Sequence, residues 1–137
     1  MRVVIDSNIL VSIIGKKSRL RAIWDAFIEG RFDMYVSEDI LKEYEEILQE
    51  HAAPGTDEIV LEIFSESPNV HFQHTYYAWN AITFDPDDNK FFDVAVASNA
   101  TYLVTNDRHF DVVKKLPFPK IKILTSEEFL NLLHNKT

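Results

Sequence analysis

The run Val3-Val4-Ile5, closed at once by Asp6, is the feature that most constrains the fold. Three successive β-branched residues leave no polar face, so the segment reads as a strand buried on both sides. That is the habit of parallel sheets, not of half-exposed antiparallel ones. Tyr102-Leu103-Val104-Thr105 repeats the pattern late in the chain. Between and around these runs the apolar period switches to that of helices.

The alternation is regular. Ser7 or Asn8 can cap a helix carrying Ile9, Leu10, Val11, Ile13 and Ile14. A second helix is predicted from about Ser18 to Glu29, with Leu20, Ile23, Trp24, Phe27 and Ile28 in register and Gly30 as its stop. Phe32 to Val36 reads as a strand. Ser37 then caps a helix whose stripe is Ile40, Leu41, Tyr44, Ile47 and Leu48. After a break over His51 to Gly55, Thr56 can cap a helix with Ile59, Val60, Ile63 and Phe64. Val70-His71-Phe72 is a short strand; Thr75 to Phe84 fits no period. Asp85-Pro86-Asp87-Asp88 opens a helix through Asn99, with Pro86 at its first position. A turn or short helix covers Asp107 to Lys115, and the alternating Lys120-Ile121-Lys122-Ile123 suits an edge strand. Thr125 or Ser126 caps a last helix bearing Phe129, Leu130 and Leu133. Strands alternating with helices imply an α/β fold, a single-domain α/β/α sandwich over residues 1–137 with a central, mainly parallel sheet.

Composition narrows the chemistry. At 137 residues with 46% hydrophobic side chains the chain can bury a substantial core. It has no cysteine, which removes disulfides, thiolate zinc sites and thiol nucleophiles. Its three glycines cannot assemble a dinucleotide fingerprint or a P-loop. A net charge of −8 excludes a basic surface spread over the whole molecule, though not local patches such as Lys16, Lys17, Arg19 and Arg21, or Arg108, Lys114 and Lys115. No apolar run approaches the ~20 residues of a membrane span, and the start lacks a secretory h-region. A cytoplasmic protein without membrane contact is expected.

In a parallel sheet, function gathers at the carboxyl ends of the strands. Asp6 ends the first strand, Asp107 follows the fourth by two residues, and Asp88 sits in the first turn of the helix before it. With Ile40 at zero and ~100° per residue, the apolar stripe of the third helix centres near ~40°. Glu43 then falls at roughly −60°, flanking the buried face, with Glu45 on the opposite flank and Glu46 pointing away. Carboxylates converging on one sheet end repel one another, and a divalent cation removes the conflict. An all-oxygen set suits Mg²⁺ or Mn²⁺. Such sites hydrolyse phosphodiesters, one ion activating water and a second, roughly 3.5–4 Å away, stabilising the leaving oxygen. Taken singly, each acid also has a structural role open to it: a cap at Asp6, dipole neutralisation at Asp88, a solvated flank at Glu43 and an Asx-turn at Asp107.

Together these residues resemble the PIN domain, a family of metal-dependent nucleases best known as toxins of bacterial and archaeal toxin–antitoxin pairs. The resemblance rests on Val4-Ile5-Asp6-Ser7-Asn8, on Ser37 to Tyr44, on Asp85-Pro86-Asp87-Asp88-Asn89-Lys90-Phe91, and on Leu103-Val104-Thr105-Asn106-Asp107. It implies that Asp6, Glu43, Asp88 and Asp107 hold the metal, Mg²⁺ or Mn²⁺, and carry catalysis. Asn8 and Thr105 match supporting polar positions. Asp93, set in the nearly apolar stretch Phe91-Phe92-Asp93-Val94-Ala95, competes with Asp88 for the third ligand position or supports the site, and Lys90 or Arg108 could pair with it. The resemblance further implies cleavage of single-stranded RNA, a small antitoxin partner and a homodimer.

Other readings fare worse. Asp85-x-Asp87-x-Asn89 imitates an EF-hand loop but has Lys90 at the glycine position and Val96 at the terminal glutamate. His71 and His74 are commoner as strand-end or surface residues than as ligands. Response-regulator receivers need adjacent acids after the first strand, where this chain has Ser7 and Asn8. No serine sits in a nucleophile elbow. Tyr76, Tyr77 and Trp79 could stack on bases, although core or dimer packing explains them better. The alternative of a different class is a catalytically silent PIN-like module that binds RNA or protein.

Overall fold

A computed structural model describes residues 1–83 and 85–135. Five strands, β1 (Arg2–Ile5), β2 (Asp33–Val36), β3 (Val70–Phe72), β4 (Tyr102–Val104) and β5 (Ile123–Leu124), form one sheet in the order β3-β2-β1-β4-β5. Every pairing is parallel, so the sheet is wholly and not just mainly parallel. β1 lies at the centre with Val3, Val4 and Ile5 fully buried, as its apolar run requires. Val3 pairs with both Met34 and Tyr102, and Ile5 with Val104, which brings the ends of β1 and β4 level.

The helices α1 (Ser7–Ile14), α2 (Arg21–Ile28), α3 (Glu38–His51), α4 (Thr56–Glu66), α5 (Asn89–Ala97), α6 (Asp111–Lys114) and α7 (Ser126–Asn135) flank the sheet. α5 packs across β1, β2 and β4, while α1 meets α2 and α3. Ile40, Tyr44 and Leu48 of α3 are buried, as its stripe predicts. The Tyr44 hydroxyl donates to the Ile5 carbonyl, pinning α3 against the carboxyl end of β1. Among the described residues no helix is long and apolar enough to cross a membrane.

Element boundaries follow local chemistry. The Ser37 hydroxyl caps α3 by accepting from the Ile40 N–H at 3.2 Å. Thr125 and Glu128 form a reciprocal capping box on α7. Gly30 ends α2 at φ 76°, with bonds from Gly30 to Phe27 and from Arg31 to Ala26 that complete a Schellman motif. Several expectations shift. Asp6, and not Ser7 or Asn8, stands at the N-cap of α1, and α2 begins at Arg21 instead of Ser18. Thr56 does not cap α4; Gly55 does, at φ 88°, and Thr56 is the first helical residue. The helix expected through Asn99 ends at Ala97, because Asn99 turns left-handed at φ 53° and closes a second Schellman motif. The segment expected as a strand over Lys120 to Ile123 pairs only at Ile123–Leu124, at the sheet edge. Phe84 of the segment that fits no period lies outside the described residues.

Candidate metal centre at the carboxyl end of the sheet

The chain turns from β1 into α1 at Asp6, whose side chain is 3% exposed. The Thr105 hydroxyl, just past β4, donates to Asp6 Oδ2 at 2.8 Å and accepts from the Asp107 N–H at 3.0 Å. One hydroxyl therefore fixes both acids, which explains a polar residue buried at the strand end. Burial raises the Asp6 carboxyl above its usual range; the Thr105 hydrogen bond opposes this, and the charges of Glu43 and Asp107 add to it. The backbone amide of Asn8 faces the same carboxylate, and its exposed side chain lies at the rim of the cleft.

Glu43 reaches the site from α3. Ser7 Oγ donates to its Oε2 at 2.6 Å and Lys90 Nζ to its Oε1 at 2.7 Å, so both oxygens are engaged. Burial works against the Lys90 charge, but the bond and charge of Glu43 outweigh it and raise the ammonium's pKa. Lys90 is thus the partner of Glu43 and not of Asp93.

Asp88 closes a 3₁₀ turn, Pro86–Asp88, immediately before α5. It is 9% exposed, and the His109 ring nitrogen stands 3.4 Å from its buried Oδ2. Burial, then the charges of Asp85, Asp107 and Asp6, push its carboxyl up to about 7, against a hydrogen bond with His109 that lowers it. Asp107 caps a second 3₁₀ turn, Arg108–Phe110, by accepting from the His109 N–H at 2.9 Å. Asp6, Glu43, Asp88 and Asp107 line one cleft of about 260 Å³ together with Asn8, Ser7, Asp85 and Asp87. One oxygen each from Asp85, Asp88 and Asp107 and a nitrogen of His109 lie within 4.8 Å of one another.

The architecture and this acidic cleft converge on one family. The PIN domain model matches residues 2–109. The chain belongs to the PIN-domain family. Its fold is similar to that of a chain in the crystal structure of VapBC2 from Rickettsia felis bound to a DNA fragment from its promoter. The identity is 18%, covering 91% of this chain and 98% of that one, with a TM-score of 0.63. At that identity the likeness speaks to the fold. A search of curated proteins finds no significant match.

Several residues stand elsewhere than the sequence suggests. Asp93 faces away from the acidic cleft, accepting the Trp79 N–H at 3.2 Å beside Tyr77 and Val96. Glu46, expected to point away, lines the cleft with Glu50; both share the Glu43 flank of α3, and the cleft lies beyond that flank. Glu45 borders a different groove, with Leu41 and Phe72. Tyr76 and Tyr77 are 93% and 65% exposed, so core packing does not explain them. Of the basic patches, Arg19 pairs with Glu127, Arg21 with Asp25 and Lys114 with Asp111. His71 pairs with Asp33 and stacks on Tyr35. Ser7, Lys90, Asp85 and His109 are the cleft residues that periodicity does not single out. The PIN-like motifs contain the first three but give no sign of their contacts, and His109 lies just beyond the last motif.

Proposed function

We propose that the protein is a metal-dependent endoribonuclease that cleaves single-stranded RNA, acting as the toxin of a toxin–antitoxin pair. The observation that carries this reading is the convergence of Asp6, Glu43, Asp85, Asp88 and Asp107 on one cleft. An all-carboxylate wall of this kind fits a hard divalent cation, Mg²⁺ or Mn²⁺. A cation bound there would offset the charge of the scissile phosphate and acidify the attacking water.

The chain's own groups do the positioning. Thr105 holds Asp6 and Asp107 at a fixed separation, and Ser7 with Lys90 holds Glu43. Asp6, Glu43, Asp88 and Asp107 are the proposed ligands and catalytic acids; Asn8, at the rim, and Thr105, beneath, support them. Asp88 takes the third position over Asp93 because Asp93 faces another cavity. The solved VapBC2 assembly supports an antitoxin partner for this chain. The exposed Tyr76 and Tyr77 supply faces for RNA bases or for a second copy in a homodimer.

Incubating a mixed single-stranded RNA pool with the protein in Mn²⁺, in EDTA, and with Asp6→Asn tests the reading. Cleavage that requires both the metal and Asp6 is expected. Cleavage unchanged by EDTA and by Asp6→Asn overturns it.

A further inference from the structure

We propose that the rings of Tyr76, Tyr77, Trp79 and Phe118, with the lysines of residues 114–122, form a stacking platform for single-stranded RNA outside the acidic cleft. The proposal rests on the RNA-cleaving reading above and names where that substrate is held. Tyr77 meets Trp79 edge-on with ring centroids 4.7 Å apart, and Trp79 meets Phe118 edge-on at 5.9 Å. The rings thus join the loop after β3 to the segment before β5. Tyr76, Tyr77 and Phe118 are three of the six large apolar side chains exposed among the described residues, Phe118 at 75%. Rings exposed to this degree keep faces on which bases can stack.

Charge decides which occupant these rings suit. Residues 114–122 hold four lysines, Lys114, Lys115, Lys120 and Lys122, and no acid, in a chain of net charge −8. Lys115 and Lys120 flank Phe118 in the chain and are exposed. Lys114 and Lys122, from the two ends of the segment, both act on Glu128, which places them near one carboxylate. Cations interleaved with exposed aromatics equip a surface for single strands, the lysines tracking phosphates while the rings take bases. A second copy of the chain fits less well. Protein interfaces are depleted in lysine, and a two-fold contact through this patch would set its lysines against one another.

Backbone ties the platform to the cleft. The Trp79 N–H donates to Asp93 Oδ1 on α5 at 3.2 Å. Further along, Ile82 and Asn89 exchange two bonds: the Ile82 N–H donates to Asn89 Oδ1 at 2.9 Å, and Asn89 Nδ2 donates to the Ile82 carbonyl at 3.0 Å. Asn89 directly follows Asp88, so the stretch from Trp79 to Ile82 runs along α5 toward the turn that carries the cleft acids. Asp88 and Asp93 stand about 7–8 Å apart along the helix axis. A groove of about 320 Å³ beside Tyr76, Tyr77 and Trp79 adds Gln73 and His74, whose polar atoms suit base edges. Its acid, Asp93, already accepts the Trp79 N–H. A strand held here lies close to the cleft, yet outside the carboxylates that repel its phosphates.

Fluorescence anisotropy of a labelled, unstructured RNA strand, titrated with the full chain in EDTA, tests this without cleavage. Expected is binding that weakens roughly 5–150-fold in Tyr77→Ala and in Phe118→Ala. Lys115→Gln combined with Lys120→Gln should flatten the slope of log affinity against log salt by about 1.4, the share of two phosphate contacts. Trp24 is buried, so quenching of tryptophan fluorescence by the RNA reports Trp79 and decides even if a variant folds poorly. The proposal is overturned by wild-type protein that shows no quenching, or by affinity and salt slope unchanged in these variants. A dimer that dissociates in Phe118→Ala while RNA affinity holds also overturns it, giving the patch to a second copy. Affinity unchanged in the variants beside Mn²⁺-dependent cleavage removes the platform and keeps the nuclease. Platform-dependent binding of RNA that is never cut does the reverse.

Discussion

Replacing Asp88 by Asn should stabilise the metal-free protein at about pH 8 and abolish its stabilisation by metal. The carboxyl is raised from 3.8 to about 7 by burial first and by Asp85, Asp107 and Asp6 next. The native state therefore holds a proton that the unfolded chain has released, between about pH 4 and 7. Stability falls as pH climbs through that window, and above it the folded protein carries the full repulsion. Three units at ~1.4 kcal/mol each make that burden about 4 kcal/mol. Asn keeps the shape and removes the charge, but its amide must still be satisfied in a buried place. A net gain of about 2 kcal/mol is the expected balance. For a domain of this size 1 kcal/mol moves the melting midpoint by roughly 3–5 °C, so the variant should melt about 6–10 °C higher in EDTA at about pH 8. At about pH 5, where Asp88 is already protonated, the gain should nearly vanish. Saturating Mn²⁺, at about a hundred times its Kd, adds roughly 2.7 kcal/mol to the wild type and little to the variant, which reverses the order. Circular-dichroism melts at the two pH values, with EDTA and with Mn²⁺, measure all four corners. A gain of equal size at both pH values would refute the argument, since charge would then not be its source.

Four further outcomes are expected. Lys90→Met should cost about 1–3 kcal/mol in urea denaturation, because it strands Glu43 half-buried without its partner, and adding Glu43→Gln should recover part of the loss. Thr105→Val removes the bond to Asp6 and the acceptor for the Asp107 N–H; about 1–3 kcal/mol of stability and a weaker Mn²⁺ isotherm by calorimetry should follow. Tyr44→Phe should lower the denaturation free energy by about 1 kcal/mol, since the Ile5 carbonyl loses a buried donor. Arg19→Ala should leave the melting midpoint within about 1–2 °C of wild type, its pair with Glu127 being exposed on both sides.

Much of this was legible in the sequence wherever one physical rule dominated. Val3-Val4-Ile5 reads as a central strand because only burial on both faces suits it, and Asp6 at its end is conspicuous for the same reason. Ser37, Gly30 and Thr125 announce helix ends through groups that satisfy orphan amides and carbonyls. Thr56 misleads because a hydroxyl can cap, yet Gly55 reaches a positive φ that begins α4 without it. Glu46 misleads for a geometric reason. Angular position on α3 is measured from the buried stripe, whereas the cleft opens beside that stripe, past Glu43. Nothing in a helical wheel states where a neighbouring loop leaves a gap. His109 was hidden for a related reason: it meets Asp85, Asp88 and Asp107 only where two 3₁₀ turns, Pro86–Asp88 and Arg108–Phe110, come together in space.

The distribution of compensation within the cleft is itself informative. Natural folds usually agree with local rules everywhere except where function requires otherwise. Here the disagreements are graded. Asp6 is buried but held by Thr105; Glu43 is half-buried but held by Ser7 and Lys90. Asp107 donates its N–H to Thr105 and receives one from His109. At the Asp88 corner the His109 ring nitrogen stands 3.4 Å from Oδ2, and burial and the surrounding carboxylates still push the carboxyl up to about 7. A fold that had evolved merely to tolerate five acids at one sheet end could have placed a lysine against Asp88 as it did against Glu43. The crowding of carboxylates at that corner costs stability in the absence of a cation and returns it when one binds. The metal-free instability and the proposed metal affinity are therefore two readings of one arrangement, and the Asp88→Asn melts measure both.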